Sequence, residues 1–460
     1  MLRIAAPLAL AELGWMSMGL VDTIMVGHLP NAAVPLSAAA LTHVLYNTFA
    51  FGIGGILLGL DTTISQAHGA DDYPAANRWI FQGVLLSAAI SAFLMAIYWL
   101  APFGLSHLPT DPVVTSVAGA ALRALSWGTF PLLLTFALRR YLQAFNHVRI
   151  IAAALVSANL INLFFDWLLI FSHNWQFGGL HIGWSAHGVV GSSIATALAR
   201  AYQAVFSITA ILIVNRRNRY GLLAAGRRSF MPHWSSLKRL LALGIPSGAT
   251  ILVEITIFAV ITNLMATLGP VALAGHEIAL NCVSFTFMIP LGISAAASVR
   301  VGQAIGRGAP VEAKAAGWAA ICLGGAVMLC ASLLLVAIPH AIAAFFTHDA
   351  TVIAATVPLL LIGAIFQLCD GLQITAIGAL RGAGDTHSGL ITHLCSYWLL
   401  GLPLGIYLCF HRHLGARGLW LGLSAALIVT GLVLLNRWRS IQILSATYPG
   451  SAGTSTPPSA

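Results

Sequence analysis

Long unbroken apolar runs, separated by short polar stretches, set the pattern of this chain. Twelve of them are long enough to cross a bilayer at roughly 20 residues each. They lie near 4–26, 40–66, 78–100, 117–142, 149–172, 187–214, 238–266, 275–302, 314–345, 352–380, 388–411 and 415–438. The runs are continuous rather than alternating every second residue, so the pattern predicts helices and excludes a membrane β-barrel. The first run starts almost at Met1, with no small-residue cleavage site after a short core. It therefore reads as the first spanning helix rather than a leader peptide. The predicted class is an all-α integral membrane protein.

Composition agrees. The chain is 58% hydrophobic and 8% charged with mean hydropathy +0.88, against about 25% charged for soluble domains. The charges are distributed unequally. Of 22 Arg and Lys, 18 fall at the termini or in loops after even-numbered helices, Arg139, Arg140, Arg149, Arg216 and Arg217 among them. The positive-inside rule then puts both termini in the cytoplasm of a multi-pass protein of the inner (plasma) membrane. The net charge of +9 follows from that topology and from the anionic inner leaflet. The basic stretch 216–239 joins two apolar runs and comes with no nucleic-acid-binding fold, so no nucleic-acid partner is expected. The six cysteines, Cys282, Cys322, Cys330, Cys369, Cys395 and Cys409, lie in apolar runs without CxxC spacing. They predict neither a disulfide framework nor a metal centre. The 16 histidines are scattered, mostly near segment ends, and read as interfacial.

The chain repeats itself. Pro7 and Leu41 correspond to Pro246 and Leu280, and Gly55, Gln66, Ala67 and Gly69 to Gly292, Gln303, Ala304 and Gly306. The repeat divides the chain into a six-helix lobe at 1–214, a basic linker at 215–237, a second six-helix lobe at 238–438 and a tail at 439–460 expected to be disordered. Six is even, so both lobes enter from one side, related by an axis along the membrane normal. Two such lobes can rock about a central cavity. Both lobes belong to one chain, so a monomer is expected.

Seven of the 13 acidic residues stand inside the apolar runs: Glu12, Asp22, Asp61, Asp166, Glu254, Glu277 and Asp370. A carboxylate in hydrocarbon is costly and usually faces a bundle interior or water path, where it handles protons or ions. Helical rise places Asp22 roughly 27 Å, and Asp166 roughly 26 Å, from the cytoplasmic ends of their helices. Asn162 and Asn159 precede Asp166 by four and seven residues and share its stripe. Two carboxylates with amide oxygens suit a small hard cation such as sodium; crowded together out of water, they would hold a proton instead. In the second lobe Glu254 and Asp370 come to roughly 20 and 15 Å, and can meet near mid-membrane. The repeat partners of Asp22, Asn162 and Asp166 are Ile261, Leu400 and Leu404, so the lobes do not duplicate one site. Asp61 and Glu277 read as capping or snorkelling residues near helix ends, and Glu12 as a lining of the entry path. Arg200 stands deeper in helix six, placed to neutralise an acid or reach the inner interface.

The motifs, taken in order, resemble the multidrug and toxic compound extrusion (MATE) family. They are Pro7 with VDTIMVG at 21–27, GLDTTISQAHGA at 59–70, RRYLQAFN at 139–146, NLINLFFDW at 159–167, LGIPSGATILVE at 243–254, IPLGISAAASVRVGQAIGRG at 289–308 and LCDGLQITAIGALRGAGDT at 368–386. The resemblance implies a V-shaped pair of lobes around a central cavity. It implies an antiporter, not an enzyme, that exports small organic cations in exchange for sodium or protons by alternating access. It implies that Asp22, Asn159, Asn162, Asp166 and Thr196 form a cation or proton site in the first lobe, with Pro7 as a hinge in helix one. Glu254 and Asp370 would form a cation or substrate site in the second lobe. Sodium, where it is the coupling ion, would sit at Asp22, Asn162 and Asp166 or at Glu254 and Asp370; no other cofactor is implied. The alternatives are a lipid-linked precursor flippase of the related superfamily and, more remotely, a membrane-embedded enzyme or a channel.

Overall fold

The computed structural model describes residues 1–29, 32–105, 111–177, 180–184, 186–222 and 231–442; side chains of 173–184 are not included. Among these residues eleven helices are long and apolar enough to cross a membrane, and one bent pair makes a twelfth span. In chain order they are α1 (Leu2–Gly27), α2 (Ala33–Gly69), α3 (Tyr73–Leu105), α4 (Pro112–Ser126 with Thr129–Ala144), α5 (Val148–Ile170) and α6 (Gly188–Asn218). The second set is α7 (Trp234–Thr267), α8 (Pro270–Gly306), α9 (Pro310–Ala337), α10 (Ala350–Ala383), α11 (His387–His411) and α12 (Ala416–Ser440). Large apolar side chains such as Leu10, Leu160, Ile213, Leu333 and Leu432 are exposed, which suits hydrocarbon and not water.

Four local features depart from the reading of the sequence. The run at 314–345 is two helices, because Pro339 lacks an N–H and disfavours helix at the residue before it. Ile338 sits at φ −134°, ψ 44°, and a separate short helix, Pro339–Phe346, follows. Span α4 bends by 47° between its two parts. At the bend Gly128 presses against α6, where an added Cβ would stand 3.0 Å from the Ala197 Cα. The loop between α5 and α6 carries an antiparallel hairpin, β1 (His173–Phe177) and β2 (Leu180–Trp184), with Phe177 paired to Leu180. Span α11 contains two wide π-helical stretches, Leu394–Gly401 and Tyr407–His411.

The linker assigned to 215–237 begins as helix. Span α6 continues to Asn218 and stops at Arg219, which takes a left-handed φ of 56°. Residues 223–230 of that linker, and 443–460 of the tail, lie outside the described residues.

The lobes meet along the halves of their helices nearer the chain termini. One hydrophobic core runs from the first lobe into Leu240, Ile293 and Ala295–Ala297 of the second. Toward the opposite end the clusters are separate: Val26, Ala39, Ala121, Ile170 and Val189 in the first lobe, and Ile257, Ile261, Met265 and Ala279 with their neighbours in the second. The seam is nearly two-fold symmetric, as the repeat predicts. A Cβ at Gly69 would stand 2.1 Å from the Gln303 carbonyl oxygen, and one at Gly306 would stand 2.0 Å from that of Gln66. Only glycine permits such an approach. The Gln66 amide donates to the Gly382 carbonyl across the seam (3.2 Å), and the Gln303 amide donates to the Ala144 carbonyl (2.8 Å). The Thr62 hydroxyl adds a bond to the Arg381 carbonyl (2.5 Å).

Pro7 lies beside this seam, within an unbroken α1. Its neighbours Leu8 and Ala9 touch the α8 backbone at Gly292. Asp61 corrects the sequence reading outright. It neither caps nor snorkels; it is 1% exposed and lies 3.4 Å from both Arg140 of its own lobe and Arg381 of the other. The reason is that α2 continues to Gly69, so Asp61 sits two turns inside the helix and faces the seam. Glu12 pairs with Arg139 inside the first lobe rather than lining an open path. Glu277 is exposed on α8.

Candidate functional site

In the first lobe α1 contributes Asp22, α5 contributes Asn162 and Asp166, and α6 contributes Ser192 and Thr196. All five are buried, Asn162 and Asp166 completely. The four-residue steps 162–166 and 192–196 put each pair on one helix face. Asp166 lies within interaction range of Asp22 and Ser192. The Thr196 hydroxyl is 3.0 Å from Asp22 Oδ2 and 3.0 Å from the Ser192 carbonyl. One hydroxyl proton cannot serve both at once. When it goes to the carbonyl, as serine and threonine in helices commonly arrange, the bond to Asp22 requires a proton on the carboxyl group.

The remaining polar atoms are unanswered. Asp22 Oδ1, both Asp166 oxygens and both side-chain heteroatoms of Asn162 have no hydrogen-bond partner among the described residues. Buried polar atoms without partners are rare and costly, and two ionised carboxylates are acceptors that cannot satisfy each other. Chemically, such a cradle can hold one small positive charge, a proton or a metal ion. Asn159 stands apart from it. Its amide donates to the Gly14 carbonyl at 2.8 Å, eight residues and about 12 Å along α1 from Asp22, so it fastens α5 to α1 below the cradle.

In the second lobe Asp370 is 5% exposed and accepts a hydrogen bond from Gln373 (2.9 Å). The same Gln373 amide reaches the Tyr397 hydroxyl at 3.3 Å. Glu254, half-buried on α7, lies in the fields of Asp370 and Tyr397. The two acids lie within electrostatic reach of each other and of Tyr397, which the first π-helical stretch of α11 carries. His393, one turn from Tyr397, is fully buried and packs edge-on against its ring, with centroids 5.1 Å apart. Gln373 follows Asp370 by three residues, a helical spacing that was open to inspection in the sequence. Tyr397 and His393 come from a different helix, and no spacing points to them.

The geometry defines a multi-pass helical carrier: two repeated lobes, a seam closed at one end, and buried acids in each lobe on different helices. Comparison with known proteins gives the family. The MatE family model matches residues 7–168 and again 246–407, once per lobe. The chain is 34% identical over 436 residues to a probable multidrug resistance protein NorM of Geobacillus kaustophilus, covering 95% of this chain and 93% of that one. It is 31% identical over 451 residues to multidrug resistance protein MdtK of Edwardsiella ictaluri, covering 96% and 95%. The crystal structure of the eukaryotic MATE transporter AtDTX14 superposes with a TM-score of 0.83 at 22% identity, over 96% of this chain and 95% of that one. This chain belongs to the MatE family, and is thus a membrane transporter rather than an enzyme.

Proposed function

We propose that the protein exports organic cations across the inner membrane in exchange for inward movement of a proton or sodium ion. The observation that carries this reading is the cradle of Asp22, Asn162 and Asp166, where five buried polar atoms lack partners in the interior of one lobe. Such a site stores a small cation, and its occupancy changes how α1, α5 and α6 can pack. The relatives named for multidrug resistance support drugs and other organic cations as cargo. Glu254 and Asp370 supply negative charge in the second lobe for that cargo or for a second ion.

Both termini are cytoplasmic in this reading. The packed seam is then the inner side, and the cleft between the lobes opens outward. Alternating access follows from breaking the seam at Gly69 and Gly306 while the outer halves come together. One chain carries both lobes, and a monomer is sufficient.

The deciding experiment is efflux of ethidium from proteoliposomes, with proton and sodium gradients imposed separately. Wild-type protein should respond to one of the two gradients. Asp22→Asn and Asp166→Asn should each lose most of that gradient-driven efflux at normal expression. Full activity in both variants would remove the cradle from the mechanism.

A further inference from the structure

The polar face of α6 continues below the cradle. Ser192, Thr196, Arg200, Gln203 and Ser207 follow at steps of four, four, three and four residues, and all are buried. That spacing makes a single stripe. Arg200 is 6% exposed. Its guanidinium lies 4.6 Å over the ring of Tyr46 on α2. Tyr46 is itself held in place, stacked on Tyr98 of α3 at 4.9 Å and bonded through its hydroxyl to Thr129 of α4 at 3.2 Å. Nε and Nη1 of Arg200 have no hydrogen-bond partner among the described residues.

A guanidinium stays charged in any protein environment, and a buried charge without an anion is strongly unfavourable. The acids available to Arg200 can be narrowed by elimination. Glu12 is held by Arg139, and Asp61 lies between Arg140 and Arg381. Asp71 and Asp72 make hydrogen bonds in the turn between α2 and α3, and Asp111 caps α4. Asp22 and Asp166 remain. Thr196, which touches Asp22, is one turn from Arg200, a rise of about 6 Å. Helical side chains lean toward the helix N-terminus, which for α6 is the direction of the cradle. His43, one turn before Tyr46 on α2, lies in the fields of both Asp22 and Arg200, so both groups stand within electrostatic reach of one residue. From α4, Arg123 is exposed, Arg139 is paired with Glu12 and Arg140 lies beside Asp61.

We propose that Arg200 is the built-in counter-cation of the Asp22–Asp166 pair, standing in for a bound metal ion, so that this cradle does not take sodium. The proposal rests on the reading of the pair as the coupling site. With the guanidinium counted, the ionised site carries one net negative charge instead of two. A single proton neutralises it. A sodium ion would balance that charge equally, but it needs several oxygen ligands at once, both carboxylates among them, and the guanidinium would compete for those oxygens; a proton needs only one. When the site empties, the guanidinium, seated over Tyr46, can swing toward the carboxylates without leaving the lobe.

The test uses purified full-length protein, with sodium chloride compared against choline chloride at equal ionic strength. Wild type should show no sodium-specific rise in Tm that Asp166→Asn removes, and any rise that remains in Asp166→Asn belongs to the second lobe. Arg200→Gln should acquire a sodium-specific rise in Tm, and that rise should vanish in Arg200→Gln with Asp166→Asn. Arg200→Lys, which keeps the charge, should remain insensitive to sodium. The pH of half-maximal efflux should move upward in Arg200→Gln, on the order of one unit, and far less in Arg200→Lys.

A sodium-specific rise in wild type that is lost in Asp166→Asn would overturn the proposal, whether or not any arginine variant folds. So would a folded Arg200→Gln with wild-type pH dependence and no sodium response. If Asp22→Asn and Asp166→Asn themselves transport normally, the coupling-site reading fails and the proposal with it. If they abolish efflux while Arg200→Gln matches wild type in every readout, the counter-cation alone is wrong.

Discussion

Gly306→Ala should force the lobes apart at the seam. The added methyl would stand 2.0 Å from the Gln66 carbonyl oxygen and 2.9 Å from the Ala70 amide nitrogen. A carbon needs about 3.3 Å from a carbonyl oxygen, so α8 must withdraw from α2 by about 1.3 Å. Both obstructing atoms are backbone and cannot rotate away. A displacement of that size stretches the Gln303–Ala144 bond from 2.8 Å and the Gln66–Gly382 bond from 3.2 Å beyond hydrogen-bonding range. Each is worth about 1 kcal/mol net, and overpacking costs about 1–3 kcal/mol. Withdrawal relieves the overpacking at the cost of the two bonds, so the closed seam is disfavoured by about 2 kcal/mol, a shift of roughly 30-fold in the ratio of the two conformations. The helix-forming gain of Ala over Gly applies equally to both conformations and cancels. The assay is a spin-label distance between Arg78→Cys and Glu312→Cys, one on each lobe at the terminal end, after replacing the six native cysteines. The long-distance population should grow, and Gly69→Ala should act likewise, since its methyl would meet the Gln303 carbonyl at 2.1 Å. An unchanged distance distribution in both variants would show that the seam tolerates the methyl and does not govern the equilibrium.

Other expectations are quicker to check. Asp61→Asn leaves Arg140 and Arg381 facing one another across the seam without their anion, and should cost about 3 kcal/mol, read as a lower Tm in detergent. Glu254→Gln and Asp370→Asn should each remove most gradient-driven efflux and weaken binding of cationic cargo at normal expression; wild-type transport in both would make these acids purely structural. Cysteines placed in 231–237 should be labelled from the cytoplasm alone and those in 173–184 from outside alone; labelling of both from one side would contradict the six-plus-six topology.

The reach of the sequence varied with the kind of information each feature needs. Spans were readable because hydrocarbon demands unbroken apolar length, and the repeat was readable because Gly and Gln recur at fixed offsets. The depth of Asp22 and Asp166 was readable because helical rise is constant, and the structure brings them within range of each other. Orientation about the helix axis was harder. Asn159 shares a stripe with Asp166, yet its amide is spent on Gly14. Asp61 reads as a helix-end residue when α2 stops at 66, but the helix runs on to Gly69, and the acid's partner Arg381 comes from the other lobe. The break at Ile338 was signalled by Pro339 but obscured by the hydrophobicity on both sides. Tyr397 and Arg200 owe their surroundings to neighbouring helices, which no spacing along one helix encodes.

The placement of Asp61 also bears on how the protein is made. N-terminal units are synthesised and fold first, so the first lobe enters the membrane before Arg381 exists. Its buried acid is not left waiting, because Arg140 of the same lobe is already 3.4 Å away. Arg381 is in the opposite position: among the described residues its ion-pair partner is Asp61, on the lobe made earlier. The first half can therefore insert with Asp61 already answered, while the second carries the Arg381 guanidinium without its anion until it docks. Assembly thus has a direction written into it, with the early lobe offering Asp61 as a ready anchor and the late lobe drawn to it by the Arg381 guanidinium.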